Sequence, residues 1–258
     1  MQVHNQHGLV YYTFASLASQ PLVQAVFGRQ GGVSPAPYAS LNMSISTGDS
    51  LHNVRENRRR AYQAVGVAET LIATLWQVHG AQVVVVNHTA CDSDTQADAL
   101  VTNNPAISLF LRFADCVPIL FYDPVQHAIG IAHAGWRGTV NGVQCATVQA
   151  MQREYGSRPT DIIACIGPSI GPDIYAVGAE VEQAVLSAVG TTAGLVLDKG
   201  TKRHLDLWQT NARMLRQCGV EQIEIAELCT YTHSDLFFSH RAHGPTTGRF
   251  GALLKLAG

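Results

Sequence analysis

Ten short apolar segments, rich in β-branched and aromatic residues and bounded by turn residues, recur along this chain at 10–14, 23–27, 71–76, 83–86, 107–113, 119–122, 129–132, 162–166, 223–226 and 252–256. Segments of this length and composition are strand-sized and too short for globular helices. Helical patterning is confined to four stretches. Asn53, with Glu56 three residues later, forms a capping-box-like start for a helix running to about residue 65, carrying Arg55, Arg58, Arg59 and Arg60 early. Val140, Val143, Thr147 and Met151 share one face of a second helix, and Val181, Ala184, Val185, Ala188 and Val189 repeat that pattern in a third. Asp206 caps a fourth that stops at Gly219. Strands come in unbroken groups and do not alternate with helices, which predicts an α+β fold of mixed β-sheets with helices packed outside them. The 258 residues contain no Pro/Gly/Ser linker, charge block or internal repeat, so a single domain over 1–258 is expected.

Charge narrows the partners. With 17 Lys+Arg against 19 Asp+Glu, the chain has no electrostatic basis for binding duplex nucleic acid or an anionic membrane. No run approaches the roughly 18 to 20 apolar residues that span a bilayer. The first dozen residues lack a basic segment followed by a long apolar one, and a cytoplasmic location is expected. The cysteines, Cys91, Cys116, Cys145, Cys165, Cys218 and Cys229, form no C-x-x-C pair and read mostly as small buried apolar residues. Arginine outnumbers lysine 14 to 3, a bias that suits phosphate or carboxylate binding and that genome base composition also produces.

Three polar sites sit where strand-like runs end: Gln77-Val78-His79-Gly80, Ala114-Asp115-Cys116-Val117-Pro118, and His133-Ala134-Gly135-Trp136-Arg137-Gly138. Such positions put a reactive side chain where rigid scaffold meets an open cleft. One thiolate and two imidazoles are usual donors for zinc, and three protein ligands leave a fourth position open for water or substrate. His79, Cys116 and His133 compose such a set, although separations of 37 and 17 positions mean that only the fold can assemble it. Two other readings stay open: both histidines satisfied in the core, or Cys116 a nucleophile with His133 as its base. Asp115, adjacent to Cys116, is expected to point to the opposite strand face and to orient a ligand histidine.

Other segments offer binding groups. Gly135 and Gly138 permit a strand-to-helix turn whose N–H groups, with Arg137, suit an anion. The stretch 237–249 mixes Phe237, Phe238, His240, Arg241, His243 and Arg249 with turn residues, a composition able to stack a base and pair a phosphate. In the stretch 31–49, Asn42 is a candidate base or sugar contact, with Arg58 on the following helix a candidate anion contact. Walker A, G-x-G-x-x-G and H-E-x-x-H patterns are absent, so the chemistries they serve lack their signatures here.

Taken together, these blocks resemble the laccase-domain family, long labelled multicopper polyphenol oxidases and now associated with purine nucleoside phosphorylase activity. The carriers include Gly31-Gly32-Val33-Ser34, Leu41-Asn42, Gly48-Asp49, Asn57-Arg58, Gln77-Val78-His79-Gly80, Ala97-Asp98, Asp115-Cys116-Val117-Pro118, His133 through Gly138, Gly167 through Gly171, Cys229-Thr230, Phe237-Phe238-Ser239 and Thr247-Gly248-Arg249. The resemblance spans nearly the whole chain. It implies an α/β/β/α layered arrangement and a zinc ion on His79, Cys116 and His133. The implied activity is phosphorolysis of adenosine, inosine, guanosine and methylthioadenosine, with deamination of adenosine in the same site. Purine nucleosides and phosphate are then the expected partners. Arg58, Arg137 and Arg241 are the anion candidates, Arg241 first among them, and Asn42, Gln77 and Phe238 the nucleoside contacts.

One departure stands out. After Phe-Phe-Ser, family members often read Tyr-Arg-Arg-Asp, whereas this chain has His240-Arg241-Ala242-His243, so no contact from a second arginine or an acid is carried over. Two rival functions are a cysteine-type hydrolase or amidase acting on peptidoglycan precursors and a non-catalytic metal- or nucleoside-binding protein. Copper laccase chemistry is disfavoured because the chain has no H-x-H pair and no repeated all-β pattern. Adventitious copper uptake by a Cys-His₂ site is compatible with that reading.

Overall fold

The computed structural model describes residues 1–87 and 94–257, and Cys91 lies outside them. The apolar segments pair into two six-stranded mixed sheets. The first runs β1 (Gln2–Gln6), β2 (Leu9–Thr13), β3 (Leu22–Phe27), β15 (Phe250–Leu256), β7 (Ser108–Phe113) and β4 (Ile72–Ala73), antiparallel except for β4 against β7. The second runs β14 (Gln222–Ile225), β10 (Ile163–Ile166), β8 (Val117–Asp123), β9 (Ala128–Ala134), β6 (Ala99–Thr102) and β5 (Val83–Val85), with parallel pairs at both edges. A small third sheet joins β11 (Ala176–Val177), β13 (Lys202–Leu205) and β12 (Val196–Lys199).

Alternation along each strand creates the layers. In β8, Leu120 and Tyr122 face the first sheet and pack with Leu109, Leu111, Leu254 and Phe250. Their neighbours Ile119 and Phe121 face outward and pack with Val148, Met151, Val185 and Leu215. Those partners belong to α3 (Val143–Tyr155), α4 (Ala179–Val189) and α5 (Leu207–Gln217). On the opposite side α1 (Leu51–Ala64) lays Ala61 and Tyr62 over Phe27, Phe110 and Leu253 of the first sheet. The result is the expected α/β/β/α order.

Local readings are corrected in three places. The first helix begins at Leu51 after Ser50, so Asn53 lies inside it and donates its amide to Asp49 Oδ1, while Glu56 pairs with Arg59 and Arg60 along the helix. The second helix is two: α2 (Trp136–Val140) ends before Gly142, whose φ of +79° starts α3 afresh. Cys145 and Cys218 are joined through their sulfurs, with Cα atoms 5.8 Å apart, because α3 and α5 pack together. The Asp206 cap is present, accepting from Gln209 N, and a last short helix α6 spans His240–His243. Among the described residues no helix is long and apolar enough to cross a membrane.

Candidate metal centre

Pairing of β8 with β9 fixes two of the three donors. Pro118 lies opposite His133 and Val117 opposite Ala134, so Cys116, one residue before β8, arrives beside the end of β9. His79 comes from the loop after β4, in the left-handed backbone region with φ +62°. That conformation is held by one carboxylate. Asp98, fully buried, accepts the backbone N–H groups of Val78 (3.2 Å), His79 (2.9 Å) and Gly80 (2.6 Å). Its Oδ1 also meets His133 Nδ1 at 2.8 Å, which turns the other ring nitrogen toward the sulfur.

One ligand atom each from His79, Cys116 and His133 lies within 4.8 Å of the others. A divalent ion at about 2.0 to 2.3 Å from each donor needs this kind of convergence, and a hydrogen-bonded second nitrogen is what fixes a ligand histidine. The donor set therefore fits zinc. Gly135 makes room for it: a Cβ there would stand 2.9 Å from Cys116 Sγ and 3.2 Å from His79 Cδ2. The φ of Gly135 is ordinary at −68°, so space, not backbone freedom, requires glycine. Burial alone would push the Cys116 thiol up, but His133 and His79 outweigh it and bring it well below its usual value. Burial would lower His133, whereas the Cys116 thiolate and Asp98 raise it. Thiolate and imidazolium sustain each other, a state that a cation replaces by displacing the proton.

The trio opens into a cleft of about 520 Å³ that Gln77, Arg112, Arg137, Tyr175, Arg241 and Arg249 also line. Ligand sites for small metabolites fall in the range of about 300 to 1,000 Å³. Arg137 and Arg241 are exposed, with guanidinium groups 4.3 Å from the Trp136 ring centre and 5.2 Å from that of Tyr175.

Other expected contacts are placed differently. Asn42 is fully buried, its Oδ1 accepting from Ser44 N and Arg249 N and its amide donating to Thr47 Oγ1 and Asp49 Oδ2. Phe238 is also fully buried, beneath the Arg29 guanidinium at 4.6 Å. Neither has surface to offer a molecule in the cleft, which corrects their reading as nucleoside contacts. Gln77 lines the cleft, but its carboxamide is occupied by Arg112 on both sides. Arg58 is not in the lining and donates Nε to Met43 O. Asp115 is corrected as well. It sits in the β7–β8 turn with φ +79°, and its carboxylate accepts from Thr230 Oγ1 and from Arg241 N, both at 2.6 Å. Asp98 orients the histidine in its place.

Residues 23–257 match the family described as "Multi-copper polyphenol oxidoreductase laccase". The chain belongs to this laccase-domain family. Among laccase-domain relatives, a protein of Deinococcus radiodurans named "Purine nucleoside phosphorylase" is 40% identical, the alignment covering 88% of this chain and 87% of the relative. One of the same name from Bacteroides thetaiotaomicron is 36% identical, covering 86% of each. The solved structure of YlmD from Geobacillus stearothermophilus superposes with a TM-score of 0.91 at 33% identity, covering 99% of this chain and 98% of that one. An enzyme of purine nucleoside phosphorylase type is what these relatives support.

Proposed function

We propose that this protein is a zinc-dependent purine nucleoside phosphorylase, converting adenosine, inosine, guanosine or methylthioadenosine and phosphate to the base and ribose-1-phosphate, and that it also deaminates adenosine. The observation that carries the reading is the convergence of His79, Cys116 and His133 on one open position of an arginine-lined cleft. The relatives' names point the same way.

When bound, zinc supplies Lewis acidity, making water a competent nucleophile near neutral pH, as attack at purine C6 requires. Phosphorolysis asks something else of the protein. A phosphate oxygen forms a bond to C1′ while the C1′–N9 bond breaks and its electron pair leaves with the purine. Fixed cations beside the phosphate and planar side chains beside the base serve that step. Trp76, exposed, and Tyr175 line the cleft and are the planar side chains available there.

The test is turnover of adenosine with and without phosphate by wild type, Cys116→Ala and His79→Ala. Adenine and ribose-1-phosphate from wild type alone, with inosine and ammonia as the deamination products, are the expected result. Equal rates in all three overturn the proposal. The depressed Cys116 thiol favours one second reading, a cysteine-type hydrolase. Activity that survives zinc chelation and is lost on thiol alkylation would select it.

A further inference from the structure

We propose that the inner end of the cleft is an oxyanion subsite built on Arg112 and Arg249, and that it, not Arg241, receives the inorganic phosphate of the reaction. The inference rests on the phosphorylase reading for its ligand, but on separate residues for its geometry.

Arg112 is the one charged residue of β7, an otherwise apolar strand. Its guanidinium is held by Nη2 donating to Leu75 O and by Nε donating to Gln77 Oε1 at 3.2 Å, which leaves Nη1 without a partner among the described residues. Arg249 donates Nη1 to Thr247 O (2.8 Å) and Gly248 O (3.0 Å), with Nε and Nη2 likewise unpartnered there. Both side chains line the cleft, as does Ser44. Arg58 stands behind, its buried Nη2 without a hydrogen bond. Among the described residues none of these three arginines forms an ion pair.

Arg112 and Arg249 are half-buried, and their unpaired N–H groups face the cleft with no carboxylate in ion-pair contact, so a guanidinium partner is missing there. Burial pushes Arg112 down to about 10, with the neighbouring Arg58 adding to the effect. Burial also lowers Arg249, against which the charges of Cys116 and Asp115 act. Asp115 forms no ion pair with these arginines among the described residues, its oxygens accepting from Thr230 and the Arg241 backbone. A tetrahedral oxyanion entering from the cleft supplies the missing acceptor, and guanidinium forks match its edges.

The carboxamides of Gln77 and Asn42 have their use here. Gln77 holds Arg112 at its backbone N, backbone O and Nε, while Asn42 holds the backbone N–H groups of Ser44 and Arg249 on one carbonyl oxygen. They are positioning residues for the subsite. Arg241 and Arg137 are exposed and lie over aromatic rings, where water and salt screen their charge.

Equilibrium dialysis with ³²P-orthophosphate tests this on wild type, Arg112→Met, Arg249→Met and Arg241→Met, with melting temperatures measured alongside. Losing a charge-assisted contact should weaken phosphate by about tenfold or more in Arg112→Met and Arg249→Met, and by less than about twofold in Arg241→Met. If Arg112→Met does not fold, Arg112→Lys and Arg249→Met carry the same expectation. Loss of binding in Arg241→Met with retention in the other two overturns the subsite. Adenosine phosphorolysis with an unchanged phosphate KM in Arg112→Met and Arg249→Met also overturns it while leaving the phosphorylase reading intact. Phosphate bound through the inner arginines by a protein that cleaves none of adenosine, inosine, guanosine and methylthioadenosine supports the subsite and ends that reading. Adenosine monophosphate is the second probe, and binding about tenfold tighter than orthophosphate would overturn the assignment to free phosphate.

Discussion

Asp98 does two jobs with one carboxylate: it closes the Val78-His79-Gly80 backbone into an anion-accepting turn and fixes the ring of His133. Converting it to asparagine keeps the size but replaces one acceptor oxygen with an NH₂ group that faces other donors. Loss of a hydrogen-bond partner to a ligand histidine weakens metal binding by about 10- to 100-fold. Asp98→Asn should therefore raise the zinc dissociation constant by that factor, measured by competition with a chromogenic chelator, while circular dichroism stays unchanged. The three donors are legible in the sequence because each interrupts an apolar run with a polar residue followed by small or turn residues. Asp98 leaves no such mark: it precedes the short strand β6, and only the fold brings it to His79 and His133. Arg112 did leave a signal, a lone cation inside an apolar strand.

At the level of elements, the loop joining β3 to α1 is a hydrogen-bonded unit centred on Asp49. Its carboxylate accepts from Ser34 Oγ, Asn42 Nδ2, Asn53 Nδ2 and Ser50 N. Burial would raise this acid, but those hydrogen bonds outweigh it and hold it below the usual carboxylate range. A depressed folded-state pKa contributes stability above the unfolded value of about 3.9, lost as pH falls through the folded value. Melting temperature of the wild type should fall between about pH 4 and lower pH, and Asp49→Asn should be less stable at pH 7 with a shallower acid slope. An identical slope for both proteins would remove Asp49 from this role. The sequence marked this region as a binding loop because turn residues and polar amides look alike whether they face a ligand or each other. It missed β1, β6 and the third sheet for a related reason: Gln2–Gln6 and Lys202–Leu205 are polar strands without alternation, and Ala99–Thr102 is too short to show a period. The break between α2 and α3 was written in Asn141-Gly142, but the apolar spacing of Val140, Val143, Thr147 and Met151 crosses it without a gap.

Across the whole molecule, the cleft depends on two sheets staying stacked. The three donors come from the β8 and β9 ends of one sheet and the loop after β4 of the other, so sheet separation is also site geometry. Leu120 is fully buried between the layers. Leu120→Ala should cost about 2 to 5 kcal/mol of stability, read as a lower denaturant midpoint with an unchanged slope. A smaller loss than about 1 kcal/mol would show that the layers do not rely on that contact. The layered class was legible because each of the ten apolar segments contains a strand, 71–76 only as Ile72–Ala73, and the strand groups are unbroken, whereas the order of strands in each sheet was not, since pairing partners lie far apart in sequence.

One ion shared by a sulfur and two imidazoles is the central proposal for this site, and metal content measures it directly. Protein purified with zinc present and dialysed against zinc-free buffer should carry about one zinc per chain by elemental mass spectrometry. Cys116→Ala, His79→Ala and His133→Ala, each folded, should each carry far less. A wild type that holds no metal, or three variants that hold as much as it does, would contradict a shared ion at this site.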